Sequence, residues 1–61
     1  MTRLQAVEAL ALRVAHRRGL DDRRAQWVRN LARWSYYTRG SAWRAYREAD
    51  EYAQRLTEDF L

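Results

Sequence analysis

The chain has no cysteine, proline, lysine or isoleucine, and only two glycines and one histidine. Without cysteine there is no disulfide framework and no thiolate metal site, so nothing argues for an oxidising compartment and the cytoplasm is the expected location. One histidine cannot build a metal-ligand cluster. With no cysteine nucleophile, no glycine-rich phosphate loop and no spaced carboxylate, histidine and serine set, the pattern predicts a non-enzymatic protein with no cofactor and no metal. Residues 1–15 lack the charged-then-apolar order of a signal peptide, and no apolar run approaches the ~20 residues that span a bilayer. Eight carboxylates also weigh against a chain that lies on anionic lipid, so no membrane partner is expected.

The missing lysine and isoleucine have a counterpart in what is abundant: all twelve basic residues are arginine, and ten residues are alanine. Arginine and alanine have GC-rich codons, lysine and isoleucine AT-rich ones. This composition fits a GC-rich bacterial or phage genome, so the number of arginines is less informative than their placement. Residues 13–47 hold ten arginines and only Asp21 and Asp22, a local net charge of +8, whereas residues 48–61 hold five carboxylates against Arg55, a net of −4. A basic middle concentrates positive potential in one region and points to a polyanionic or acidic partner.

The absence of proline and the isolation of Gly19 and Gly40 leave long uninterrupted stretches, and every one has helical apolar spacing. The expected fold is all-α, a single three-helix domain over residues 1–61, with helices at about 3–18, 22–39 and 42–59 and the two glycines at the turns. Thr2 and Gln5 have capping-box spacing, Gly19 suits a left-handed helix end, Asp21 or Asp22 caps the second helix, and Ser41 caps the third. The expected inner faces are Leu4, Val7, Leu10, Ala11 and Val14 on the first helix, and Trp27, Val28, Leu31, Trp34, Ser35 and Thr38 on the second. The third contributes Ala42, Ala45, Tyr46, Ala49, Tyr52, Ala53, Leu56 and Phe60. Large residues on the second helix set against alanines on the third would fill a small core. Leu12 falls on the polar side of the first helix and Trp43 projects away from the alanine stripe; both read first as ordinary isolated exposed apolar residues, with a partner contact as the alternative, for Leu12 a homodimer. His16, beside Arg17, reads as an exposed surface residue.

Around the first turn, Ala15, Leu20, Ala25 and Val28 stand four positions before and one, six and nine positions after Gly19. The segment VAHRRGLDDRRAQWV therefore resembles the generic helix-turn-helix motif, in which those positions let the second helix cross closely over the first. The resemblance covers about 15 residues and implies a small DNA-binding regulator, with Arg23, Arg24 and Gln26 directed at base edges and Arg17, Arg18, Arg29 and Arg33 at phosphates of duplex DNA. The alternative is a small helical protein-interaction module or inhibitor of phage or mobile-element type. It would dock a face formed by Arg29, Arg33, Tyr36, Tyr37, Arg39, Trp43 and Arg47 on an acidic partner protein, since arginine, tyrosine and tryptophan carry most binding hot spots.

Overall fold

A computed structural model of the protein describes residues 1–59. It contains α1 (Arg3–Arg17), α2 (Asp22–Arg39) and α3 (Ala42–Asp59), matching the expected three-helix bundle. Each boundary has a local cause. Thr2 and Gln5 form the reciprocal capping box of α1, with Gln5 N–H donating to Thr2 Oγ1 at 3.1 Å and Thr2 N–H to Gln5 Oε1 at 2.9 Å. At its other end Gly19, at φ +85°, donates to the His16 carbonyl, and Leu20 N–H reaches back to Ala15 O at 3.1 Å. That pair of bonds is a Schellman ending, and the burial of Leu20 supplies its apolar contact. Of the two aspartates, Asp21 is the cap of α2, accepting from Arg24 N–H at 2.9 Å. Gly40, at φ +67°, closes α2, and the Ser41 hydroxyl accepts from Arg44 N–H to open α3.

The core is built from small side chains. Ala11, Ala15, Ala25, Ala32, Ala45, Ala49 and Ala53 are completely buried, and the largest side chains as fully enclosed are only Val28 and Ser35. Spacings of three or four residues select these positions: Val7, Ala11 and Val14 on α1; Ala25, Val28, Ala32 and Ser35 on α2; Ala45, Ala49, Ala53 and Leu56 on α3. Alanine has almost no side chain to hold neighbouring backbones apart, so the helices approach closely and the interior narrows to match. The Cα radius of gyration of 10.6 Å equals the ~10.5 Å expected of a compact chain of this length.

This packing bears out Val28 and Ser35 on the inner face of α2 and corrects the expected core at Trp27, Trp34, Thr38, Leu10 and Leu12. Trp27 and Trp34 do not fill it: they are 41% and 55% exposed. Helix α2 carries two stripes of bundle-like spacing, one small (Ala25, Val28, Ala32, Ser35) and one large (Trp27, Leu31, Trp34, Thr38). The small stripe faces inward because an interior bounded by alanines has no room for indole rings. Leu10, expected inside, is 39% exposed. Leu12, expected on the polar side, packs half-buried against the core. Glu8 and Leu12 share one ridge of α1, and Glu8 bonds Arg33 of α2, so that ridge faces α2. The reason for placing a dimer contact at Leu12 is thereby removed. The expectation for Phe60 lies outside the described residues.

Short connections make consecutive helices antiparallel, and the cross-helix bonds agree. Between α1 and α2, Glu8 pairs with Arg33 and His16 with Asp22, numbers that rise on one helix as they fall on the other. Helices α1 and α3 run in the same direction, with Leu10 beside Trp43 and Tyr46 and Arg18 bonded to Asp50. The longest dimension, 33 Å, is close to the ~27 Å of an 18-residue helix. The helices therefore lie along the long axis. Helix α2 packs more extensively on each neighbour than α1 and α3 pack on one another.

Candidate functional site

The bundle sorts its arginines into those that hold it together and those left to solvent. Arg18 caps α1 and directs Nε and Nη2 onto Asp50 Oδ1 of α3, at 3.2 and 2.9 Å. Arg33 Nε meets Glu8 Oε1 at 2.8 Å between α2 and α1, and Arg39 Nε meets Glu48 Oε1 at 3.0 Å between α2 and α3. Exposed pairs of this type contribute little individually, but together they tie each helix to both others. The Arg33 guanidinium titrates above its ordinary value because Glu8 accepts its hydrogen bond and lies beside its charge. Arg24 donates both its backbone N–H and Nη1 to Asp21, and its guanidinium stands 5.9 Å from the ring centre of Trp27, within cation–π range. The carboxyl of Asp21 is held below the usual aspartate range, first by the hydrogen bond from the Arg24 backbone.

Of the seven residues assigned to nucleic acid, Arg18, Arg24 and Arg33 are thus engaged within the chain. Arg29 is half-buried, and its Nε is enclosed without a hydrogen-bond partner. The side chains of Arg17, Arg23 and Gln26 are exposed and make no ion pair or hydrogen bond among the described residues. Asp22, an exposed carboxylate at the first turn of α2, precedes Arg23 directly in the chain. His16 Nε2 lies 3.0 Å from its Oδ1, with half of the imidazole in solvent. The four positions of the turn motif, Ala15, Leu20, Ala25 and Val28, are all buried.

Of the residues assigned to a protein partner, Tyr36, Tyr37, Arg39 and Trp43 lie toward the other end of the bundle. Tyr36 is half-buried against the core and Tyr37 is 69% exposed, the rings meeting edge to face with centres 6.3 Å apart. Trp43, in the first turn of α3, is 71% exposed. Arg47 Nε lies 3.7 Å from Glu51 in a loose surface pair, while Arg39 is held by Glu48 and Arg33 by Glu8. The assigned set is therefore split: Tyr37 and Trp43 are accessible, Arg33 and Arg39 are structural, and Arg29 lies roughly 15 Å up the helix from Arg39.

Three surface residues escape a reading of the sequence because their size suggests burial. Trp27 and Trp34 form an exposed stripe on α2. Leu10 joins Ala42, Trp43 and Tyr46 in an open apolar notch of about 390 Å³ between α1 and α3. The signal that locates them is in the alanines. Three helices that each carry a stripe of alanine and other small residues at helical spacing close on one another, and large residues on any second stripe remain outside. No helix among the described residues is long and apolar enough to cross a membrane. Searches against protein-family models, curated proteins and solved structures find no match to this chain.

Proposed function

We propose that the chain is a small helical protein-interaction module whose exposed tryptophans, tyrosine and solvent-facing arginines dock on an acidic partner protein. The observation that carries this reading is the position of the aromatics. Trp27, Trp34 and Trp43 are 41%, 55% and 71% exposed while the core closes on seven fully buried alanines. Tryptophan and tyrosine offer large contact areas at low entropic cost and, with arginine, dominate interface hot spots. Aromatics that contribute little to the bundle's own core are available for a partner.

The test is affinity capture from a nuclease-treated bacterial lysate on immobilised protein, beside a variant carrying Tyr37→Ala and Trp43→Ala. Retention by the original chain and loss by the variant is the expected result. If every captured species disappears on nuclease treatment, the reading fails.

A second reading, duplex DNA, is favoured by the burial of Ala15, Leu20, Ala25 and Val28 around Gly19 and by the exposure of Arg17, Arg23 and Gln26. It ranks below the first because three of its seven contact residues serve the bundle and because Asp22 opposes phosphate at the head of α2. Fluorescence anisotropy with a mixed-sequence duplex decides it. DNA binding requires an affinity that falls steeply with salt; absence of binding at low ionic strength removes it.

A further inference from the structure

We infer that the notch between α1 and α3 receives an acidic amphipathic segment of the partner, one apolar side chain entering the notch and its carboxylates meeting arginines beyond it; the inference rests on the docking reading above. The notch is lined by Leu10 of α1 and Ala42, Trp43 and Tyr46 of α3, almost wholly by carbon. It lies where the bundle is least closed, since α1 and α3 pack less extensively on one another than either does on α2. An open apolar recess suits an inserted side chain better than an enclosed small molecule.

Charge identifies the occupant. On α1, Arg13 and Arg17 stand three and seven residues beyond Leu10, about 5 and 10 Å along the axis. On α3, Arg47 stands four residues beyond Trp43, about 6 Å along the axis. Because α1 and α3 run in the same direction, all three guanidiniums lie on the same side of the notch. Arg13 and Arg17 have no ion pair among the described residues, and Arg47 holds only the loose 3.7 Å contact to Glu51. Of the carboxylates on this flank, Asp50 is already occupied by Arg18, which leaves Glu51 alone against three arginines. A helical ligand with an aliphatic or aromatic anchor and carboxylates three to four and seven residues away matches that spacing. A second copy of this basic region would bring like charges together, which disfavours self-association through the notch.

Selection of a phage-displayed random-peptide library on the full chain, followed by mapping of enriched peptides on isotopically labelled protein by NMR, tests the inference. The expected outcome is enrichment of peptides pairing an apolar anchor with Asp or Glu, and shifts centred on Leu10, Tyr46 and the Trp43 indole. Affinity should fall about tenfold or more with Trp43→Ala, and also with Arg13→Gln combined with Arg17→Gln. These side chains are exposed, so the variants are expected to keep the circular dichroism of the original. Neutral or basic consensus peptides overturn the inference, as does a dimer that closes the notch in sedimentation. Shifts centred on Trp27 and Trp34 overturn the notch but leave the docking function standing. No enrichment, together with salt-sensitive binding of duplex DNA, overturns both.

Discussion

Gly19 and Asp21 stand two residues apart in the first turn and do different work. At φ +85°, Gly19 occupies backbone space that an L side chain enters only with strain, yet nothing lies within 4 Å of where a Cβ would stand. The strain is therefore purely conformational. Gly19→Ala should destabilise the fold by about 1 kcal/mol in urea unfolding and Gly19→Asn by less, because asparagine tolerates this region. An equal loss for both would mean that a steric clash governs the position. Asp21 acts through its charge and its cap. Its carboxyl titrates below the ordinary aspartate value, so its stabilisation is complete above the unfolded-state pKa and is lost as pH falls through the lower folded value. The substitution Asp21→Asn keeps a capping oxygen at this position and removes the ionisable group. Acid unfolding of that variant, followed by circular dichroism, should then show a shallower loss of stability below about pH 4 than the original chain shows; an unchanged acid limb would refute the assignment.

The helices as elements make an opposite pair of predictions. Ala49 is fully buried in the middle of α3, whereas Trp34 on α2 is more than half exposed. Ala49→Leu should overpack the interior and cost about 1–3 kcal/mol. Trp34→Ala should cost well under the ~3–5 kcal/mol typical of a buried aromatic. Urea unfolding of the two variants checks both, and the reverse order of stabilities would contradict the alanine core. The same contrast shows what can be read from the sequence. Boundaries are legible because each is set by local chemistry: the Thr2 and Gln5 box, Gly19, Asp21, Gly40 and Ser41. The inward face of α3 is legible because its apolar residues form one stripe. The orientation of α2 is legible only in part: Val28 and Ser35 are expected inside and are buried, but Ala25–Val28–Ala32–Ser35 and Trp27–Leu31–Trp34–Thr38 both have the spacing of a bundle seam. Choosing between them depends on how closely the other helices approach, which is a tertiary property. The engagement of Arg18 and Arg33 is hidden for the same reason: Asp50 and Glu8 lie 32 and 25 residues away in the chain.

At the scale of the molecule, a small core and a large aromatic surface are two results of one arrangement. A chain of this size buries a limited fraction of its surface, and here the burial is concentrated in alanine, valine and two leucines. Three arginine–carboxylate pairs fix how the helices sit on one another, and the remaining exposed arginines, with the indoles and Tyr37, face outward. Tyr37, Trp43 and the α1–α3 notch gather at one end, while the turn at Gly19 presents Asp22 and His16 at the other. The docking reading, the notch and its acidic ligand all depend on the indoles being outside the core. Quenching of tryptophan fluorescence by acrylamide, in the native protein and in the urea-unfolded chain, measures that directly. The native indoles should be quenched at a substantial fraction of the unfolded efficiency, Trp27 being the least accessible of the three, with only a modest emission shift on unfolding. Strongly shielded native fluorescence with a large red shift in urea would place the indoles in the core and contradict an interior built on alanine.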